Sequence, residues 1–170
     1  MDKKTELRAR AKELRKTLDM VRVSALLCEK IRNNEIYRSS QNVMLFYPMK
    51  NEVDLRELLK DDKNFYLPRV SGSVLEVCPY SSGDELKKSE FGVFEPVSAK
   101  VNSVVPDLII VPALMADRTG YRLGYGGGFY DRFLDGVNAV KTICAIPKGL
   151  LVDELPHSEN DIKIDIIIAA

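Results

Sequence analysis

Pro106-Asp107-Leu108-Ile109-Ile110-Val111-Pro112 sets four apolar residues between two prolines, and its texture decides the fold class. A strand with water on one face alternates apolar and polar side chains. An unbroken apolar run suits a strand covered on both faces, as in a parallel sheet. Other runs at residues 43–47, 65–67, 74–80, 142–146 and 164–168 read as further strands. Pro48 closes the first of these, and Ser71-Gly72-Ser73 makes a turn between the 65–67 and 74–80 runs.

Toward the N-terminus the pattern changes, and the first ~35 residues read as helical. Leu7, Ala11, Leu14 and Leu18 recur at four-, three- and four-residue spacing, one stripe of an amphipathic helix. A second helical stretch covers residues 21–32 and stops at Asn33-Asn34. Asp54 is placed to cap a short helix through Lys60, and another short helix runs through Leu134. Strands alternating with helices predict an α/β fold with a mostly parallel sheet. Residues 1–170 show no internal repeat, low-complexity segment or linker and are expected to form one domain.

Beyond the buried run lies Gly120-Tyr121-Arg122-Leu123-Gly124-Tyr125-Gly126-Gly127-Gly128-Phe129-Tyr130-Asp131-Arg132, which holds five of the ten glycines in the chain. Glycine admits positive φ and lets a ligand approach backbone N–H groups, which together form an anion-binding concavity. A helix starting after the loop adds its positive dipole end. Arg122 supplies a planar fork for phosphate oxygens, and Asp131 a hard oxygen for magnesium. In an open α/β sheet such a loop falls beyond the carboxyl ends of the strands, where ligands bind. A tight surface turn with incidental charges is the plainer alternative. No GxxxxGK[ST] occurs, and Phe129 stands where the dinucleotide fingerprint needs glycine, so neither common nucleotide motif is present.

Composition narrows the field further. Twenty-five basic and 25 acidic residues cancel, so no global field recruits nucleic acid or an anionic membrane. Cys28, Cys78 and Cys144 are scattered and odd in number, which suits a reducing compartment better than a disulfide framework. His157 is the single histidine, which excludes an HExxH zinc site. No apolar run approaches the roughly 20 residues of a membrane helix, and the N-terminus is charged from its second residue rather than signal-like. A cytoplasmic protein that acts on small molecules is expected, as a monomer or, alternatively, a dimer.

Two segments together, Asp107-Leu108-Ile109-Ile110-Val111-Pro112-Ala113-Leu114 and residues 120–131, resemble the signature of the 5-formyltetrahydrofolate cyclo-ligases, also called methenyltetrahydrofolate synthetases. The resemblance extends to Lys4-Thr5-Glu6-Leu7-Arg8, Tyr47-Pro48-Met49-Lys50-Asn51-Glu52, Phe91-Gly92-Val93-Phe94-Glu95-Pro96, Leu155-Pro156 and residues 159–165. It implies a Rossmann-like three-layer α/β/α fold, of the architecture shared with sugar-phosphate isomerases and CoA transferases. It also implies an ATP- and magnesium-dependent ligase that closes 5-formyltetrahydrofolate into 5,10-methenyltetrahydrofolate. The formyl oxygen leaves poorly; phosphorylation by ATP converts it into phosphate, and N10 then attacks the activated carbon. Such chemistry demands positioning and charge neutralisation more than a protein nucleophile.

By the same resemblance, Lys4, Thr5, Glu6, Leu7 and Arg8 match the ATP-contacting stretch of the N-terminal helix. Arg122, Leu123, Gly124, Tyr125, Gly126, Gly127, Gly128, Phe129 and Tyr130 match the loop that contacts ATP, with Arg122 and Tyr130 as catalytic candidates. Asp131 and Asp161 match magnesium ligands, and Tyr47 and Glu52 match the folate pocket. On the residues alone, Lys4 and Arg8 equally suit a solvated helix face, Asp161 a turn and Tyr47 a core position. Glu52 equally suits a loop carboxylate that stabilises a helix start. Three departures stand out: Gly127 where some members carry lysine, Ala116 where an aromatic is expected, and Ile146-Pro147-Lys148-Gly149 in place of a phenylalanine-and-glutamine stretch. They keep open a nucleotide- or phosphate-binding protein of the same fold with another substrate. A sugar-phosphate isomerase or acyl-CoA-handling enzyme is the more distant alternative.

Overall fold

Leu108, Ile109, Ile110 and Val111 have no exposed surface. The computed structural model, which describes residues 2–170 apart from Ser103 and Ala139, places them in the middle of a six-stranded sheet. In chain order come α1 (Lys3–Lys16), α2 (Met20–Arg32), α3 (Glu35–Ser39), β1 (Asn42–Met44) and a 3-10 turn (Arg56–Lys60). Then follow β2 (Asn64–Ser71), β3 (Val74–Pro79), β4 (Leu86–Lys88), β5 (Phe94–Pro96), β6 (Leu108–Ile110), β7 (Met115–Asp117) and β8 (Arg122–Leu123). The chain ends with α4 (Phe129–Asp135), β9 (Lys141–Ile146), a 3-10 turn (Lys148–Leu150), β10 (Leu151–Val152) and β11 (Ile166–Ala169).

The main sheet has the order β11-β9-β6-β1-β2-β3, parallel throughout except for the β2–β3 hairpin. Its period-two alternation feeds two cores. Val43, Leu45, Leu108, Ile110 and Ile143 pack with Leu27 and Ile31 of α2 and Tyr37 of α3. Met44, Ile109, Val111, Cys144 and Ile146 pack with Ala11 of α1 and Leu134 of α4 on the other face. This is the three-layer α/β/α arrangement expected from the unbroken apolar run. Each fully buried leucine or isoleucine contributes about 2 kcal/mol, so the layers are held chiefly by this two-sided burial.

From β1 the chain moves to β2 on one side, and it later returns to β6 on the other. The segments leaving β1 and β6 therefore diverge and open a crevice at the carboxyl edge, the switch point where such sheets bind ligands. A small sheet, β10-β7-β8, follows β6 and carries the chain into the glycine loop.

Several boundaries differ from expectation for local reasons. Residues 45–47 leave the strand after one further ladder bond, Leu45 N to Tyr66 O at 2.9 Å. Asp54 is not the cap: Leu55 takes the N-cap position without a side-chain cap bond, Asp54 accepts from Arg56 N at 3.0 Å one residue earlier, and the turn is 3-10 rather than α. The helical N-terminus does fall into two helices as expected, with Asp19 accepting from Arg22 N to open α2 at Met20. Asn34 also starts α3, with its side chain accepting from Ile36 N and Tyr37 N. The last strand begins at Ile166 because Ile164 N is committed to Gly120 O and the Asp165 carboxylate to Thr142. Strands β4, β5, β7, β8 and β10 are too short to show a period.

At the end of β7, Asp117 is fully buried and forms no ion pair among the described residues. Its Oδ1 accepts from Thr119 N at 2.9 Å, Thr119 Oγ1 at 2.8 Å and Tyr121 N at 2.9 Å. Its Oδ2 accepts from Leu155 N at 2.8 Å. Burial pushes the carboxyl pKa up, but these donors outweigh it and hold the group below its ordinary value. One side chain thereby fixes the turn that leads into β8 and the segment that leads to Asp161. Asp117→Ala strands buried N–H groups and is expected to lower unfolding stability by about 3 kcal/mol in urea titration. Asp117→Asn, which keeps one accepting oxygen, is expected to lose less; equal stability of Asp117→Ala and the wild type contradicts the assignment.

Candidate active site

Residues 124–128 join β8 to α4. Gly126 (φ +108°) and Gly128 (φ +68°) adopt the left-handed conformations that glycine makes inexpensive. At Gly126 the space matters as well: the Arg8 guanidinium lies 3.5–3.7 Å from where a Cβ would stand. Arg8 Nε donates to Gly124 O at 2.9 Å and so fastens α1 to the loop. Beside it, the Arg122 side chain is 5% exposed. Its Nε and Nη2, together with Tyr130 Oη, are buried without hydrogen-bond partners among the described residues. Arg122 Nη2 does lie 3.3 Å from Asp131 Oδ1, an ion pair without hydrogen-bond geometry. Burial, reinforced by the Glu52 charge, raises the Tyr130 hydroxyl above the ordinary phenol range, so it stands ready as a neutral donor. Unsatisfied donors at a cavity wall suit an acceptor-rich, anionic ligand.

Two carboxylates distant in sequence meet at this end. Asp131 Oδ1 accepts from Ile162 N at 3.1 Å, which brings Asp131 beside the 161–162 segment. Asp161 Oδ2 accepts from Lys4 Nζ at 2.6 Å and from Ser158 N at 2.7 Å. Burial raises the Asp161 carboxyl, but Lys4 and Ser158 outweigh it and keep the group below its ordinary value, hence anionic. Among the described residues no group of three or more His, Cys, Asp or Glu side chains converges as a metal cage. A pair of carboxylates without a cage fits magnesium, which keeps waters and shares phosphate oxygens rather than filling its shell from protein.

At the other end stands Glu52, 6% exposed. Tyr125 Oη donates to its Oε1 at 3.0 Å and Met49 N to its Oε2 at 2.8 Å. Burial raises the Glu52 carboxyl above its ordinary value, since the two donors and Arg15 only partly offset it. Tyr47 meets the edge of Phe94 at 5.5 Å between ring centroids and receives Arg56 Nη1 on its hydroxyl at 2.9 Å. Phe91, 55% exposed, faces Phe129 at 6.0 Å from the hairpin of β4 and β5. One cavity of about 630 Å³ joins both ends, within the usual range for a ligand of drug size.

Of the expected residues, Lys4, Arg8, Tyr47, Glu52, Asp131, Asp161 and all of residues 122–130 line this cavity. Thr5, Glu6 and Leu7 do not. Helical geometry turns positions 4 and 8 to one face; Thr5 and Glu6 point to solvent and Leu7 packs on the core. Ala116 is fully buried in β7, and no residue of 146–149 lines the cavity, so these departures lie behind the wall. A Cβ at Gly127 would stand 2.8 Å from the Phe129 ring, so a side chain there requires that ring to move. The apolar wall of Phe46, Met49, Phe91, Val93 and Phe94 was not anticipated. The exposed aromatics of the Phe91–Pro96 stretch were its one signal. His157 stacks on Tyr121 at 3.8 Å, away from the cavity.

Fold and crevice together define an α/β enzyme of the three-layer class that takes small molecules at the strand ends. The chain belongs to the 5-formyltetrahydrofolate cyclo-ligase family, whose model matches residues 1–170. It is similar to the 5-formyltetrahydrofolate cyclo-ligase of Mus musculus, 27% identical over 97% of this chain and 92% of the relative. The Haemophilus influenzae cyclo-ligase is 30% identical over 77% of each. Among solved structures, the 5,10-methenyltetrahydrofolate synthetase of Aquifex aeolicus superposes with a TM-score of 0.83 at 32% identity, covering 98% of this chain and 89% of that one.

The raised Glu52 carboxyl fixes a sign. Its folded form holds a proton more tightly than the unfolded chain, so this group stabilises fully below its unfolded pKa. That stability is lost as pH rises through the folded value. Relative to Glu52→Gln, the wild type is therefore expected to lose thermal stability as pH rises from the ordinary carboxylate range toward neutrality. Parallel melting curves for the two proteins across that range count against a desolvated Glu52.

Proposed function

We propose that the protein uses magnesium and ATP to cyclise 5-formyltetrahydrofolate to 5,10-methenyltetrahydrofolate, releasing ADP and phosphate. The observation that carries this reading is the single cavity with opposite ends: guanidinium and ammonium groups at the glycine loop, and a buried carboxylate among aromatics across from it. Lys4, Arg8 and the backbone of residues 124–128 bind the nucleotide phosphates. The apolar wall with Tyr47 holds the flat pterin, and Glu52 accepts hydrogen bonds from it. These contacts set the formyl oxygen in line with the γ-phosphorus, and positioning of that kind is worth several kcal/mol of barrier.

The formyl oxygen attacks the γ-phosphorus and ADP leaves. N10 then attacks the formyl carbon, forming a C–N bond; the C–O bond breaks, phosphate departs and N10 loses its proton. Arg122 stabilises the charge that spreads over the transferring phosphoryl oxygens, and Tyr130 donates a hydrogen bond from its neutral hydroxyl. Asp131 and Asp161 would hold magnesium, which when bound neutralises phosphate charge. Closing the site against water protects the phosphorylated intermediate, a task that suits the aromatic hairpin wall.

Purified protein given 5-formyltetrahydrofolate and Mg-ATP is expected to produce the longer-wavelength absorbance of the methenyl product. Absence of that band above a no-enzyme control overturns the proposal. Asp131→Ala is expected to raise the magnesium concentration for half-maximal rate by about 10-fold or more. An unchanged magnesium dependence removes Asp131 from the metal site.

A further inference from the structure

Arg15 is a buried cation without a carboxylate. Its residue is 3% exposed, and none of the ion pairs among the described residues includes it. Nη2 donates to the carbonyl oxygens of Ala113 and, at 3.3 Å, Leu114, just beyond the β6 strand. Nη1 lies 3.5 Å from Asn51 O, a long charge-assisted contact, and Nε has no partner among the described residues. Withdrawing a guanidinium from water to meet only carbonyls is expensive, and substitution by an apolar side chain is often neutral or stabilising. A cation kept there for stability alone is therefore a poor choice.

Its position supplies another reason. Asn51 O is the carbonyl of the peptide that joins Asn51 to Glu52, and Asn51 holds a left-handed φ of +62°. Only a few residue types accept that conformation, and here it turns Glu52 back toward Met49, whose N–H its own carboxylate receives. Arg15 thus grips the hinge of the Glu52 loop from behind and the end of the neighbouring strand with the same group. It does not line the cavity and so cannot touch a ligand there. We propose that Arg15 is a positioning residue that acts through Glu52, holding its loop in register with the strand end so that its carboxylate meets the folate substrate. This rests on the reading of Glu52 as a folate contact.

The charge balance around Glu52 agrees. Tyr125 from the glycine loop donates to it, Tyr130 of α4 feels its charge, and Lys4, Arg8 and Arg122 face the same cavity. Arg15 is the cation whose field opposes the burial of the Glu52 charge.

The test is an NMR titration of the Glu52 carboxyl combined with kinetics. In Arg15→Met the midpoint is expected to rise by about one pH unit. The KM for 5-formyltetrahydrofolate is expected to rise about tenfold while the KM for ATP stays within about twofold. Arg15→Lys keeps the charge and is expected to restore the titration midpoint. With Glu52→Gln as background, Arg15→Met is expected to add no further change in either KM. Should Arg15→Met fail to fold, the neutral Arg15→Gln replaces it with the same expected outcomes. An unmoved Glu52 midpoint, parallel rises in both KM values, or effects that persist without Glu52 overturn the proposal. Glu52→Gln with an unchanged folate KM sinks the folate reading of Glu52 and the substrate half of the proposal; the titration decides separately whether Arg15 acts on that carboxylate.

Discussion

A carboxylate withdrawn from water without a cation beside it must be met by hydrogen-bond donors, or the fold that buries it does not survive. Asp117 is in that position, and four donors from two chain segments meet it. The turn at 118–121 is otherwise a loop with little apolar surface to bury, and the segment at 155 has Leu155 as its anchor in the core. One begins the path to Arg122 and the glycines, and the other the path to Asp161. Fastening both to one buried oxygen pair brings the cationic loop and the distant aspartate to the same end of the crevice. Ile164 N on Gly120 O adds a second tie between the same two segments.

With that frame in place, the electrostatics of the two ends diverge. Asp161 has Lys4 and a backbone N–H on one oxygen, which holds it anionic despite burial. Glu52, deeper and with two weaker donors, is pushed the other way. The same residue chemistry thus carries opposite bias across one cavity, set by what each carboxylate meets rather than by its identity.

The layered fold was legible because burial on both faces writes itself into residues 108–111 and 143–146 as unbroken apolar runs. The cavity's basic end was legible because glycines and arginines cluster in residues 120–132. The aromatic wall was not: Phe91 sits in the turn between two three-residue strands and Phe94 at the start of the second, too short for a period, and they become neighbours of Phe129 and Tyr47 only through the fold. Thr5, Glu6 and Leu7 show the converse limit, since a contiguous motif on a helix carries residues that do not line the cavity. Arg15 and Asp117 left no trace either. Each meets mainly backbone atoms, and a sequence does not disclose which carbonyls or N–H groups will be left to satisfy.

Helix α1 sets three cations along one face, and their partners are Asp161, Gly124 and the carbonyls of residues 113–114. These partners lie 157, 116 and 98–99 residues further along the chain. On the ribosome, where synthesis proceeds at about 5–20 residues per second, Arg15 can meet Asn51 O early, but Arg8 and Lys4 wait for partners that emerge only with Gly124 and Asp161. A nascent chain can build β1 to β3 early, yet its basic cleft stays open at one wall until translation is nearly over. Catalytic competence in this architecture is therefore a terminal event of biosynthesis, and a chain truncated before Asp161 carries the whole glycine loop without the wall that closes it.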